Sequence, residues 1–205
     1  MLETLLREQD DSAGLLVGEE QAAETAWPVP AAELALWVVL ATVTMLFAGF
    51  TSAYLVRRTA WDWVPIYSPP ILWVNTAVLI LSSAGLELAK GAQKAGRADR
   101  LRGWLLVSVG LGLAFIGGQV FAWRQLGSSG ILLPTSPHSS FFYMLTGVHA
   151  VHVLGGLAGL LYVLGREWRP RASLSADVPL ALSATYWHFV TGVWLFLYGL
   201  LFVWR

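Results

Sequence analysis

The chain has 205 residues, 13 basic and 13 acidic side chains, 56% hydrophobic residues, 11 tryptophans and no cysteine. A charged fraction of 13% is half the roughly 25% of a soluble domain, and the apolar residues come in long blocks, which points to a membrane protein. The missing cysteines exclude disulfides and thiolate metal sites, and the balanced charge gives no reason to expect nucleic acid.

In chain order, residues 1–31 hold seven acids and one arginine among scattered apolar side chains. That composition predicts a mostly disordered acidic tail, with a short amphipathic helix sketched around Leu2–Arg7. No basic start precedes a short apolar core there, so the tail is not read as a signal peptide. Five blocks then run without Asp, Glu, Lys or Arg: Leu34–Val56, Trp63–Leu86, Gly103–Trp123, Gln125–Gly165 and Val178–Trp204. About 20 apolar residues cross a bilayer, so the expected fold is all-α, a polytopic transmembrane bundle of residues 32–205 with five spans. The spans fall at about 32–57, 70–90, 102–124, 139–165 and 178–204. Pro69-Pro70 set the start of the second, since proline is tolerated in a helix's first turn. The fourth block is too long for one span; its front, "QLGSSGILLPTSPHSS", predicts a loop, with Ser139 or Ser140 capping the helix that follows.

Nine basic residues lie in the stretches on one side: Arg7, Lys90, Lys94, Arg97, Arg100, Arg102, Arg166, Arg169 and Arg171. Four lie on the other: Arg57, Arg58, Arg124 and Arg205. The excess puts the N-terminus in the cytoplasm and the C-terminus outside. Tryptophans near the span ends, such as Trp27, Trp61, Trp104, Trp168 and Trp204, suit the membrane interfaces. Lipid is as apolar as leucine, so close helix contact needs small residues. Gly110, Ala114 and Gly118 in the third span are expected to form such a ridge.

No Asp, Glu, Lys or Arg sits near the centre of a span, although such residues are the usual mark of an ion or proton path. Glu87, beside Lys90, is expected to be an interfacial acid, with a role in proton uptake as the alternative. Thr146, His149 and His152 make a polar stripe on the fourth span, while His188 and Thr191 lie one turn apart on the fifth. Neutral imidazole needs partners for an N–H and a bare nitrogen, and within lipid these come from protein, bound water or headgroups. Three readings follow: polar cross-ties between helices, a metal or haem site, or a lipid-headgroup or proton-collecting role. His138, in the external loop, is expected to be solvated or to bond the loop.

"FFYMLTGVHAVHVLGG" and, about 30 residues on, "YWHFVTGVWLFLY" resemble two motifs of subunit III of the haem-copper oxidases, cytochrome c oxidase among them. "MLFAGFTSAYLVRR" and "WVNTAVLILSSAGLELA" resemble the first shared spans of its short bacterial members. The resemblance covers roughly residues 32–204. It implies an accessory, non-catalytic subunit in a bacterial cytoplasmic membrane that holds no haem or copper itself. It also implies direct packing on subunit I, where haem and copper lie, the company of subunit II, bound phospholipid, and support of proton uptake during O2 reduction. On this basis Thr146, His149, His152, Tyr186, Trp187, His188 and Thr191 are polar cross-ties or lipid-adjacent residues. Two departures stand out: Val43 occupies a position where members often carry a carboxylate, and Thr191 follows Y-W-H-F-V where an Asp is usual. The alternatives are a quinol oxidase subunit, a nitric-oxide-reductase-associated homologue, or an independent membrane protein binding haem or metal.

Overall fold

The computed structural model describes residues 31–168 and 177–204. The acidic tail, its sketched helix, and Arg169 and Arg171 lie outside the described residues. The described secondary structure is helical: α1 (Ala31–Arg57), α2 (Ile71–Lys94), α3 (Ala98–Ser128), α4 (Pro137–Glu167) and α5 (Asp177–Tyr198), which runs on into a π-helical turn, Gly199–Val203. Among the described residues five helices are long and apolar enough to cross a membrane. The chain divides into two compact units at Val39 and Leu40. The first holds the opening turns of α1, and the second, Leu40–Arg205, holds everything discussed below.

Two glycines set the short connections. Gly96 and Gly130 take φ of +66° and +79°, the left-handed region that only glycine enters freely. After α2 the N–H of Arg97 reaches back to the Ala92 carbonyl and that of Gly96 to Gln93. After α3, Ile131 does the same to Leu126 and Gly130 to Gly127. Both are Schellman closures, which satisfy helix-end carbonyls. The first packs α2 and α3 as an antiparallel hairpin.

α4 starts earlier than its apolar pattern suggests. Ser136, rather than Ser139 or Ser140, is the N-cap, with Pro137 following in the first turn. Ser136 Oγ accepts from Ser139 N–H, and Ser139 Oγ accepts from Ser136 N–H, a reciprocal capping box. A proline that looks like a loop signal instead fills the one place where a helix welcomes it. α3 likewise overruns the expected 102–124 at both ends, because its charged first turn, with Asp99, is helical without being apolar.

Of the expected Gly110-Ala114-Gly118 ridge, only Gly118 makes a close helix contact, where a Cβ would stand 2.0 Å from Asn75 Oδ1 of α2; the other two members are corrected. Gly110 and Ala114 are exposed, and a Cβ on Gly110 would meet nothing within 4 Å. Close packing also falls at Gly112, where a Cβ would stand 2.8 Å from the Trp187 ring, and at Gly156, 3.0 Å from the same indole. Trp187 therefore slots between α3 and α4. A large ring, not a second backbone, claims the space that small residues leave. Fully buried Trp187, Trp194, Phe115, Phe142 and Tyr54 fill the core.

From Leu40 onward, α1 buries Leu40, Val43, Phe47 and Tyr54, a stripe three, four and seven residues apart. At its far end Tyr54 donates to the Leu200 carbonyl (3.3 Å) and Arg58 to the Trp204 carbonyl (2.6 Å). A π-turn shifts carbonyls out of their usual partners, and here two of its neighbourhood's carbonyls accept from the end of α1. Between α1 and α5 a groove of about 680 Å3 remains, lined by Thr44, Phe47, Ala48, Leu55, Phe189 and Phe196 among others.

Candidate functional site

The polar residues within the spans separate into three places. The first is the α2–α5 seam. Ser83 and Glu87 lie four apart on α2, hence on one face. One imidazole, His188 of α5, bridges them: its Nδ1 meets Ser83 Oγ and its Nε2 stands 2.6 Å from Glu87 Oε1. Lys90 donates to the same Glu87 oxygen at 2.9 Å. Glu87 thus pairs with Lys90, as expected of an interfacial acid, and also with a histidine that its sequence position does not reveal. Its side chain is 53% exposed and that of His188 33%.

The second is the α3–α4 seam with the adjoining face of α5. The indole N–H of Trp123 donates to Thr146 Oγ1 at 3.0 Å, and Thr146 donates to its own helix at Phe142. His152 turns Nδ1 to the Val148 carbonyl at 2.8 Å; since a carbonyl only accepts, this nitrogen carries the hydrogen. Tyr186 ties α5 to α4 by donating to the His152 carbonyl at 3.2 Å. Thr191 donates within α5 to the Trp187 carbonyl. The α5–α2 tie near it comes from Trp194, whose N–H donates to Thr76 Oγ1 at 3.0 Å.

His149 sits between these seams, 1% exposed. Its ring packs 5.3 Å from Trp194, 5.9 Å from Phe115 and 6.5 Å from Phe47. Neither of its nitrogens, nor the Trp187 indole N–H, has a hydrogen-bond partner among the described residues. Among the described residues His149 contributes ring packing.

The third place is the end of the bundle where α1 meets the 58–70 connection. His138 is buried in the first turn of α4, where Nδ1 accepts the Ile66 N–H at 2.9 Å. It bonds the connection, and the solvated reading is corrected: Tyr54 and Trp63 stack on it at 6.0 and 5.1 Å. Beside it Arg57 grips Asp62 through two hydrogen bonds of 2.6 and 2.7 Å. That guanidinium holds the Asp62 carboxyl below the usual carboxylate range.

These placements bear on a metal or haem centre. Such a centre needs several donors aimed at one point. Here the imidazoles of His149, His152 and His188 face a ring cluster, a helix carbonyl and a carboxylate, respectively. Among the described residues no three His, Cys, Asp or Glu side chains are grouped to hold a metal ion. Sequence reasoning missed Ser83, Asn75, Thr76 and Trp123. Asn75 donates to the Phe115 carbonyl and Ser82 to Ser108 across the α2–α3 seam. Their signal was available: a few polar side chains inside apolar runs, each needing a partner in lipid.

The family model of cytochrome c oxidase subunit III matches residues 36–205. A protein of Thermostichus vulcanus named cytochrome c oxidase subunit 3 is 33% identical over 178 residues, 83% of this chain and 86% of its own length. A probable cytochrome c oxidase subunit 3 of Mycobacterium bovis is 32% identical over 80% of this chain and 84% of its own. The cytochrome c oxidase subunit 3 of Alkalihalophilus pseudofirmus is 30% identical over 83% and 85%. The family model's match runs through all five spans and includes both histidine-bearing stretches. This chain belongs to the cytochrome c oxidase subunit III family.

Proposed function

We propose that the chain is the accessory, non-catalytic subunit III of a bacterial cytochrome c oxidase, seated in the cytoplasmic membrane with its N-terminus inside. It packs directly on subunit I, which with subunit II carries the haem and copper, and it serves O2 reduction coupled to proton translocation by stabilising subunit I and supporting proton uptake. The observation that carries this reading is the family match across residues 36–205, joined to histidines that diverge instead of converging. The α1–α5 groove supports a bound structural phospholipid, its acyl chain lying on Phe47, Leu55, Phe189 and Phe196. The excess of basic residues at the α2–α3 end supports the orientation.

The test is native electrophoresis of gently solubilised membranes with a tag on this chain. Haem-bearing subunits are expected in the same band. A tagged chain that migrates alone, or with partners bearing neither haem nor copper, would contradict the proposal.

A further inference from the structure

Several polar side chains inside the bundle have their hydrogen bonds met within it. Thr146 accepts the Trp123 N–H and donates to the Phe142 carbonyl. Thr76 accepts the Trp194 N–H and donates to the Leu72 carbonyl. Asn75 donates to Phe115, and Ser82 to Ser108. Gln119 and His149 break this pattern. Each is 1% exposed, yet neither amide atom of Gln119 and neither ring nitrogen of His149 has a hydrogen-bond partner among the described residues. Polar atoms left bare inside a membrane bundle are costly.

The helix register brings these two residues to one level. The α3–α4 seam is pinned at one point by Trp123 on Thr146. It is pinned at another by Gly112, where a Cβ would stand 3.3 Å from the Leu157 side chain. The α3 numbers fall as the α4 numbers rise, so the two helices run antiparallel. Gln119 lies one turn back from Trp123 along α3, and His149 lies nearly one turn on from Thr146 along α4. Both steps run the same way along the seam and stay on the facing sides. Phe115, one turn before Gln119, packs its ring 5.9 Å from His149. Trp194 of α5 covers Phe115 and His149 at 5.0 and 5.3 Å, and its N–H closes the level toward α2 at Thr76.

We infer that Gln119 and His149 form an internal polar site that holds ordered water between α3, α4 and α5. The donor set selects the occupant. No Asp, Glu, Lys or Arg is among the buried residues of the described chain, so an ion would find no counter-charge. An apolar guest would leave the amide and the imidazole bare. Water both donates and accepts, so it bridges the two in either tautomer of the ring and either orientation of the amide. The two properties of His149 then have separate uses. Its ring is fixed by Phe115, Trp194 and Phe47, and its nitrogens face the water. Gln119 supplies the opposite wall from α3, so the water ties the two helices at a level where no direct side-chain bond among the described residues does.

The test uses the full chain in its native membrane assembly. Electron microscopy at a resolution that shows ordered water should reveal density within hydrogen-bond distance of both the Gln119 amide and a His149 ring nitrogen. On exchange into heavy-oxygen water, infrared difference spectra should show a buried-water O–H stretch that is lost in Gln119→Leu and in His149→Phe. Each of these variants strands the polar group of the other residue, so in thermal unfolding the double variant should lose less than the two single losses added together. Amide and imidazole in direct contact with no density between them, or a band that persists in both variants, overturns the water site. Losses that simply add overturn the pairing of Gln119 with His149. If a variant fails to fold, the density in the wild-type chain decides. These readouts do not depend on which subunits accompany the chain, so they stand or fall apart from the oxidase reading.

Discussion

Gly112 and Trp187 show how one residue's absence of bulk sets the packing of three helices. A methyl group at 112 would approach the Trp187 ring to 2.8 Å, which forces the indole or the backbone to shift. Overpacking of this kind costs about 1–3 kcal/mol, so Gly112→Ala should lower the thermal midpoint of the purified protein in detergent. Gly110→Ala, with open space around it, should change it little. Equal effects would mean that the indole does not occupy that slot. His149 poses a related question. Its value lies in ring contact with Phe115, Trp194 and Phe47, so His149→Phe should retain the subunit in the complex far better than His149→Ala. Either variant should leave the haem spectrum nearly unchanged. If Phe proved as damaging as Ala in a retention assay, the ring nitrogens would outweigh the ring contacts.

At the scale of elements, α1 is held at its far end by Tyr54 and Arg58 on the carbonyls of Leu200 and Trp204, and lower down by Phe47 against His149 and His152. Removing both hydrogen-bond donors, in Tyr54→Phe with Arg58→Ala, should speed amide hydrogen exchange in the 58–70 connection and in the π-turn together. Faster exchange in only one of them would deny the link. The Arg57–Asp62 pair carries a pH dependence of known sign. The carboxyl is depressed chiefly by the Arg57 hydrogen bonds, so its contribution is present above the ordinary carboxylate range and fades as acid brings the pH down through the lowered value. Local exchange near Ala60 and Asp62 should rise only in that acid window. The pair is exposed, so the effect on global stability is small.

For the whole molecule, five apolar blocks in the sequence became five helices because block length and hydropathy report what lipid demands of a backbone. Helix ends were less legible. The charged turn Ala98–Arg102 is helical without being apolar, and at the Ser136-Pro137 start a capping box, not hydropathy, decides the boundary. The site was legible in parts. His188 and Glu87 could each be singled out as polar within an apolar run, but 101 residues separate them. Only the docking of α5 on α2 brings them together, and no local period encodes that. The small-residue ridge held at Gly118, against Asn75, and missed at Gly110 and Ala114: spacing tells which residues share a face, and tertiary packing tells which way the face turns. The divergence of the histidines likewise follows from helix rotation.

The most direct measurement is metal and haem content per chain after the subunit is separated from the complex in mild detergent, beside the content of the complex left intact. The account predicts haem and copper in the intact complex and neither in the separated chain, with the remaining subunits keeping their spectrum. Stoichiometric haem or metal travelling with the separated chain would contradict it.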